Sequence, residues 1–263
     1  MNLGMGIMGS ALLLAALPAG AAPMVWALNF NQQINVVDAA TNVEVPFLPA
    51  NVQSDSLAVD TIGVLYIADS AGMIYSVQGA TPLGNSGYTQ IGDLVYASGG
   101  LWGFSNASDT VFFFDLGTQS VTYSQAITSG LGAYDITGIA RDPATGDLFV
   151  SGNVGYNLDV LFELDLNTAS ATTVGALSHG DAFSYISDIE FDGTGALIAM
   201  TWYHRDFYSV NPSTAATTLL SNGPHRDVTG LAIITTVPES GTGIAGALVG
   251  LAAGWQLRRR RSA

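Results

Sequence analysis

The chain has three histidines, and each opens the same kind of triplet: His179-Gly180-Asp181, His204-Arg205-Asp206 and His225-Arg226-Asp227. Imidazole and carboxylate are competent ligands for a divalent cation of the transition series, and Arg205 and Arg226 add charge suited to an acidic ligand. His179, Asp181, His204, Asp206, His225 and Asp227 are therefore the candidate ligand or metal site. A plainer role is open to the same residues, because Asp in an exposed loop commonly caps the strand that follows. Trp202 and Tyr203 adjoin His204, and a sugar ring stacks well on such aromatic faces. No serine sits in a nucleophile elbow, no phosphate-binding loop occurs and there is no His-Glu-x-x-His. The chain has no cysteine, which excludes disulfides and thiolate metal sites.

These residues sit in a repeating frame. Ser54-Asp55-Ser56-Leu57-Ala58-Val59-Asp60 precedes an apolar run from Ile62 to Asp69, Ile136 to Asp142 precedes Gly146 to Ser151, and Ile186 to Asp192 precedes Gly195 to Met200. The shared pattern is a short strand, a turn opened by Asp, a Gly and a second strand; Asp caps its own backbone and Gly tolerates positive φ. Two further strands follow, as in Asp159–Asp165 with Ala171–Val174, and Asp206–Val210 with Ala216–Leu220. A less regular unit runs through Leu94–Tyr96, Leu101–Phe104, Thr110–Phe114 and Val121–Tyr123. Four antiparallel strands per unit of ~42 residues describe a β-propeller blade.

The ends of the repeat complete each other. Val228–Ile234 is a first strand without a blade, and Val25–Val45 supplies later strands without a first. Joined, they give an all-β propeller of five blades closed by both termini; six blades or a β-sandwich are the alternatives. Because blade strands alternate in direction, fourth-to-first and second-to-third loops share one face, and all three histidines fall in such loops. Asp188 and Glu190 lie on an innermost strand as the acidic pair best placed to approach a channel, with a bonded structural role expected for them. Trp102, Phe104, Phe112, Phe113 and Phe114 fall in one blade and read mostly as core by alternation.

The run Asp60-Thr61-Ile62-Gly63-Val64-Leu65-Tyr66-Ile67-Ala68-Asp69-Ser70 resembles NHL-type and related six-bladed hydrolase propellers. That resemblance covers about one blade. It implies the fold and, in the calcium-dependent hydrolases, Glu, Asn and Asp ligands around a central channel, none of which matches a position here.

All 21 acidic residues lie between Asp38 and Glu239, and the chain has no lysine. Residues 22–236 hold 20 acids against Arg141, Arg205 and Arg226, a balance of −17. Such a surface repels phosphate backbones and excludes nucleic acid as a partner.

Both ends differ in kind from the middle. Ile7–Leu17 is an apolar run followed by Ala19-Gly20-Ala21, the pattern of a signal peptide cleaved after Ala21, although the segment before it lacks Lys and Arg. The far end reads Val237-Pro238-Glu239-Ser240, an apolar stretch over 243–257 and Arg258–Arg261. As a helix, 243–257 rises about 22 Å, short of the ~30 Å hydrocarbon core, so it lodges in a membrane with its arginines on the cytoplasmic side but anchors poorly. Short motif, marginal helix and arginine cluster together resemble the PEP-CTERM sorting signal, with Ser240 where the usual motif has a second proline. The resemblance covers 237–263. It implies a Gram-negative host, an exosortase that recognises the tail, and an association with exopolysaccharide and biofilm matrix.

The expected organisation is therefore a signal peptide (1–21), a propeller domain (22–236) and a sorting tail (237–263). The expected role is a non-enzymatic binding or structural protein of the cell surface or extracellular matrix, the alternative being a metal-dependent hydrolase or lactonase.

Overall fold

The computed structural model describes residues 24–29, 31–41, 44–49, 52–79, 81–155, 158–180, 184–223 and 227–233. The signal-peptide helix and the tail helix expected at the two ends lie outside these residues.

Twenty strands form five four-stranded antiparallel sheets. Blade I holds β1 (Met24–Asn29), β2 (Gln33–Asp38) and β3 (Glu44–Pro49), and blade II holds β4 (Ala58–Val59), β5 (Leu65–Ala68), β6 (Met73–Ser76) and β7 (Thr81–Asn85). Blade III is β8 (Ile91–Ala97), β9 (Gly100–Ser105), β10 (Thr110–Asp115) and β11 (Ser120–Ala126). Blade IV is β12 (Asp135–Arg141), β13 (Leu148–Asn153), β14 (Asp159–Asp165) and β15 (Ser170–Ala176). Blade V is β16 (Ile186–Phe191), β17 (Leu197–Thr201), β18 (Phe207–Val210) and β19 (Thr217–Ser221). The last strand, β20 (Val228–Ile233), returns to blade I and pairs antiparallel with β1, Val25 opposite Ile233 and Ala27 opposite Leu231. This is the five-bladed ring with terminal closure, rather than six blades or a sandwich. Closure joins the two chain ends in one sheet and so leaves no seam at which the ring can open.

The core is five wedges, one between each pair of adjacent blades. Phe104 and Val111 of blade III meet Ile139, Val150 and Phe162 of blade IV, and Phe149 and Leu161 of blade IV meet Ile189 and Tyr208 of blade V. Met200 and Phe207 of blade V meet Val25 and Val37 of blade I. The other two wedges join blades I and II and blades II and III. Phe104, Phe112 and Phe114 are fully buried, while Trp102 and Phe113 are half-buried and pack on one another at 5.1 Å. Alternation sorts them: successive side chains on a strand face opposite neighbouring blades.

The Asp-opened turns form as their sequence dictates. Asp60 Oδ1 accepts from the amides of Ile62 (3.0 Å) and Val64 (2.8 Å), Asp142 Oδ1 from Ala144 (2.7 Å), and Asp192 Oδ1 from Thr194 (2.8 Å). Gly63 and Gly146 then take the left-handed conformation at φ 86°. The third-to-fourth strand turns use the same device at Asp38, Asp115 and Asp165, with Asn211 in blade V. Much of the acidic excess is thus turn chemistry on the face opposite the histidine loops.

Candidate functional site

Each innermost strand begins with one four-residue motif, apolar or small at both ends: Ser54-Asp55-Ser56-Leu57, Ile91-Gly92-Asp93-Leu94, Ile136-Thr137-Gly138-Ile139, Ile186-Ser187-Asp188-Ile189 and Val228-Thr229-Gly230-Leu231. In every blade the second residue is bulged out of the ladder. Pairing skips Gly92 between Ile91↔Ser105 and Asp93↔Phe104, and skips Thr137, Ser187 and Thr229 in the same way. In blade II it slips by one residue between Ala58↔Tyr66 and Ser54↔Asp69, within the stretch Asp55–Leu57. A bulge re-aims the extra residue away from the sheet, and here it aims five of them at one place. Asp55, Gly92, Thr137, Ser187 and Thr229 all line a single cavity of about 640 Å³ to which every blade contributes.

The wall of this cavity is polar and aromatic. Asn106, from the β9–β10 loop, accepts from Ile136 N at 2.8 Å and donates to Ile136 O at 2.9 Å, so its amide imitates a strand edge and locks blade III to blade IV. Tyr185 and Trp202 stack nearly parallel, 5.5 Å between ring centres and 7° apart, and both line the cavity. Tyr203 continues from Trp202 at 5.9 Å, and His204 meets Tyr203 edge-on at 4.9 Å. The aromatic patch expected at Trp202 and Tyr203 therefore exists, with Tyr185 as its third member. Asp55 is exposed to water, yet protein surrounds it on the concave side, and this desolvation raises its carboxyl above the usual range.

Directly below the bulges lies a layer of carboxyl groups. Asp93 is fully buried; its Oδ1 accepts from Leu57 N of blade II and its Oδ2 from Ile139 N of blade IV at 3.1 Å. Asp188, also fully buried, accepts from Leu231 N of blade I at 2.5 Å and from Ile189 N at 2.6 Å. The two carboxyls lie close enough that the charge of Asp93 bears on Asp188. Burial pushes Asp93 up to about 7, and burial followed by the neighbouring Asp93 charge holds Asp188 and Glu190 well above the carboxylate range. The layer needs small neighbours: a Cβ at Gly138 would lie 2.6 Å from Ile189 N and 2.9 Å from Asp188 Cα. Inner strands expose one edge to the axis, and these carboxyls satisfy amides that would otherwise face it unpaired.

The histidine triplets have other employment. His179 is buried, its Nε2 2.7 Å from Asp159 Oδ2, while Asp159 Oδ1 accepts from Ile186 N at 3.0 Å. This pair fastens β14 to the connection leading into blade V. Asp206 Oδ1 accepts from Gly223 N at 2.8 Å, and Arg205, fully buried, forms an ion pair with Glu44 of blade I. Arg205 thus ties blade V to blade I and is not available to an acidic ligand as its triplet suggested. His204 and Asp227 are half-buried, and Asp181, His225 and Arg226 lie outside the described residues. Among the described residues no three His, Asp or Glu side chains are grouped to hold a metal ion. The members of the triplet set that are described are not gathered into a ligand cluster, and His179 and Asp206 are held by Asp159 and by Gly223 N.

Asp93 and Asp55 were not singled out from the sequence. The signal was present in the aligned motifs, where Asp93 occupies the position of Asp188 and Asp55 that of Ser187.

No family model and no curated protein matches the chain. Among solved structures, a chain of a nidogen/laminin complex is similar at TM-score 0.53 and 12% identity, over 81% of this chain and 82% of that one. The extracellular domain of a one-component system from B. thetaiotaomicron aligns at TM-score 0.46 and 13% identity, over 80% of this chain and 29% of that one. At such identities the likeness to the nidogen/laminin chain speaks to fold alone, and it agrees with the propeller built above from strand order.

Proposed function

We propose that this chain is an exported, non-enzymatic binding propeller of a Gram-negative cell envelope that takes a saccharide at its channel mouth. The observation that carries the reading is the cavity floored by one bulged residue from each blade and flanked by the Tyr185–Trp202 stack. A volume of about 640 Å³ suits a ligand of a few sugar rings, and aromatic faces beside amide and hydroxyl groups supply both the apolar and the polar half of sugar recognition. The axial carboxyls beneath are occupied by backbone amides, which makes them struts rather than catalysts.

The address rests on the chain ends. Signal peptidase removes residues 1–21; the tail from Val237, Pro238 and Glu239 onward is held transiently in the inner membrane by 243–257 and processed by an exosortase; exopolysaccharide is the partner outside.

Expression of the full chain in a Gram-negative host that carries an exosortase, followed by mass spectrometry of the released protein, tests the address. The expected product starts at Ala22 and lacks Arg258–Arg261; an intact tail on protein from the medium contradicts it. A glycan array tests the site: saccharide binding lost on Trp202→Ala supports it, and an array without any bound saccharide overturns it.

A further inference from the structure

We propose that the channel mouth selects amine-bearing sugars, with the ligand's ammonium group held by Asp55 and Asp135 and its ring resting on Trp202. This rests on the reading of the mouth as a saccharide site and names the class of sugar.

The first ground is charge. Three aspartates, Asp55, Asp69 and Asp135, line the cavity, and among the described residues no Lys, Arg or His does. They are not equivalent. Asp69 is consumed by its own turn: Oδ1 accepts from Ala71 N at 3.0 Å and Met73 N at 2.9 Å, and Oδ2 accepts from Tyr75 Oη at 3.1 Å. Asp55 and Asp135 are exposed to the mouth and have no such structural duty. The fold does not require a carboxylate at the Asp55 position either, since the other four blades place Gly, Thr, Ser and Thr there. A charge that the architecture does not need, facing into a concavity whose described lining holds no cation, is suited to a cation brought by the ligand.

The second ground is the aromatic stack. The ring faces of Tyr185 and Trp202 carry negative quadrupole potential and attract an ammonium-bearing ring in addition to stacking with it. Carboxylates on blades II and IV with aromatic faces on blade V therefore favour one ligand chemistry, a ring compound with positive charge. Uronate sugars are disfavoured by the same field.

The test is isothermal titration calorimetry of the mature propeller at near-neutral pH with three tetrasaccharides: glucosamine, N-acetylglucosamine and galacturonate. The amine oligomer is expected to bind about tenfold or more tighter than its acetylated form, the equivalent of one modest charge interaction. That preference is expected to weaken with added salt and to vanish in Asp55→Asn/Asp135→Asn. Equal affinity for amine and acetylated forms, or preference for galacturonate, overturns the charge selection while leaving the mouth a sugar site. Failure of all three to bind, with Trp202→Ala indistinguishable from the parent, overturns both readings.

Discussion

Asp188 lies beside Asp93, whose charge bears on it, and between them the two residues accept backbone amides from blades I, II, IV and V. Two carboxyls from blades III and V thus bind the inner strands of all five blades to one another at the axis. Their neighbour Glu190 adds a third acid to the same dry space.

This arrangement has a pH signature. Asp93, Asp188 and Glu190 all have carboxyls raised by burial in the folded state. A raised folded value means that the protonated form is favoured by folding. The stability so contributed is fully present below the unfolded value, about 4, and is lost as pH rises through the folded value, about 7 for Asp93. Thermal unfolding between pH 5 and pH 8 is expected to show Tm falling with pH. Glu190→Gln is expected to flatten that slope; an unchanged or inverted slope in the parent contradicts the axial assignment.

Removing an axial acceptor is expected to be severe. Asp188→Ala leaves the Leu231 amide buried without its partner, a loss of about 1–3 kcal/mol for the unpaired group plus the cavity left behind. Asp188→Asn fills the space but keeps only one of the two accepting oxygens, leaving either Leu231 N or Ile189 N unpaired, and is expected to cost less than Asp188→Ala. Urea denaturation of both variants checks the order.

The Arg205–Glu44 pair joins blade V to blade I, beside the closure, with the arginine fully buried. Breaking a buried pair by deleting one partner typically costs about 3–5 kcal/mol. Glu44→Ala is expected at or somewhat below that range, since Glu44 remains partly exposed, and is read from the same denaturation curves. A change under about 0.5 kcal/mol would show that the pair is screened by water.

Closure makes a matching demand. Deleting residues 228–233 removes the strand paired with β1 and exposes its edge, so the truncated ring is expected to lose cooperative unfolding, seen as a broadened transition by circular dichroism. A transition as sharp and as high as the parent's would contradict closure.

Blade number and closure were legible from sequence because turn chemistry repeats: Asp60, Asp142 and Asp192 each open a turn that only a short menu of residues can make. Asp188 and Glu190 were placed on an inner strand for the same reason. Asp93 was harder, since blade III lacks an Asp-opened first turn and its first strand reads as Leu94–Tyr96 without the three residues before it. Bulges leave little trace in a period-two pattern, so the shared aim of Asp55, Thr137, Ser187 and Thr229 emerges only from pairing register. The described partners of the histidine triplets were not legible either. His179 finds Asp159 and Arg205 finds Glu44 across long stretches of chain, and no local spacing announces such partners.

The mouth of the channel is the centre of this account, and amide hydrogen exchange with and without a bound glucosamine oligosaccharide tests it most directly. Protection is expected in the five motif segments, 54–57, 91–94, 136–139, 186–189 and 228–231, and around Trp202. Protection confined to the turns at 60–63, 142–146 and 192–195, on the opposite face, would contradict it.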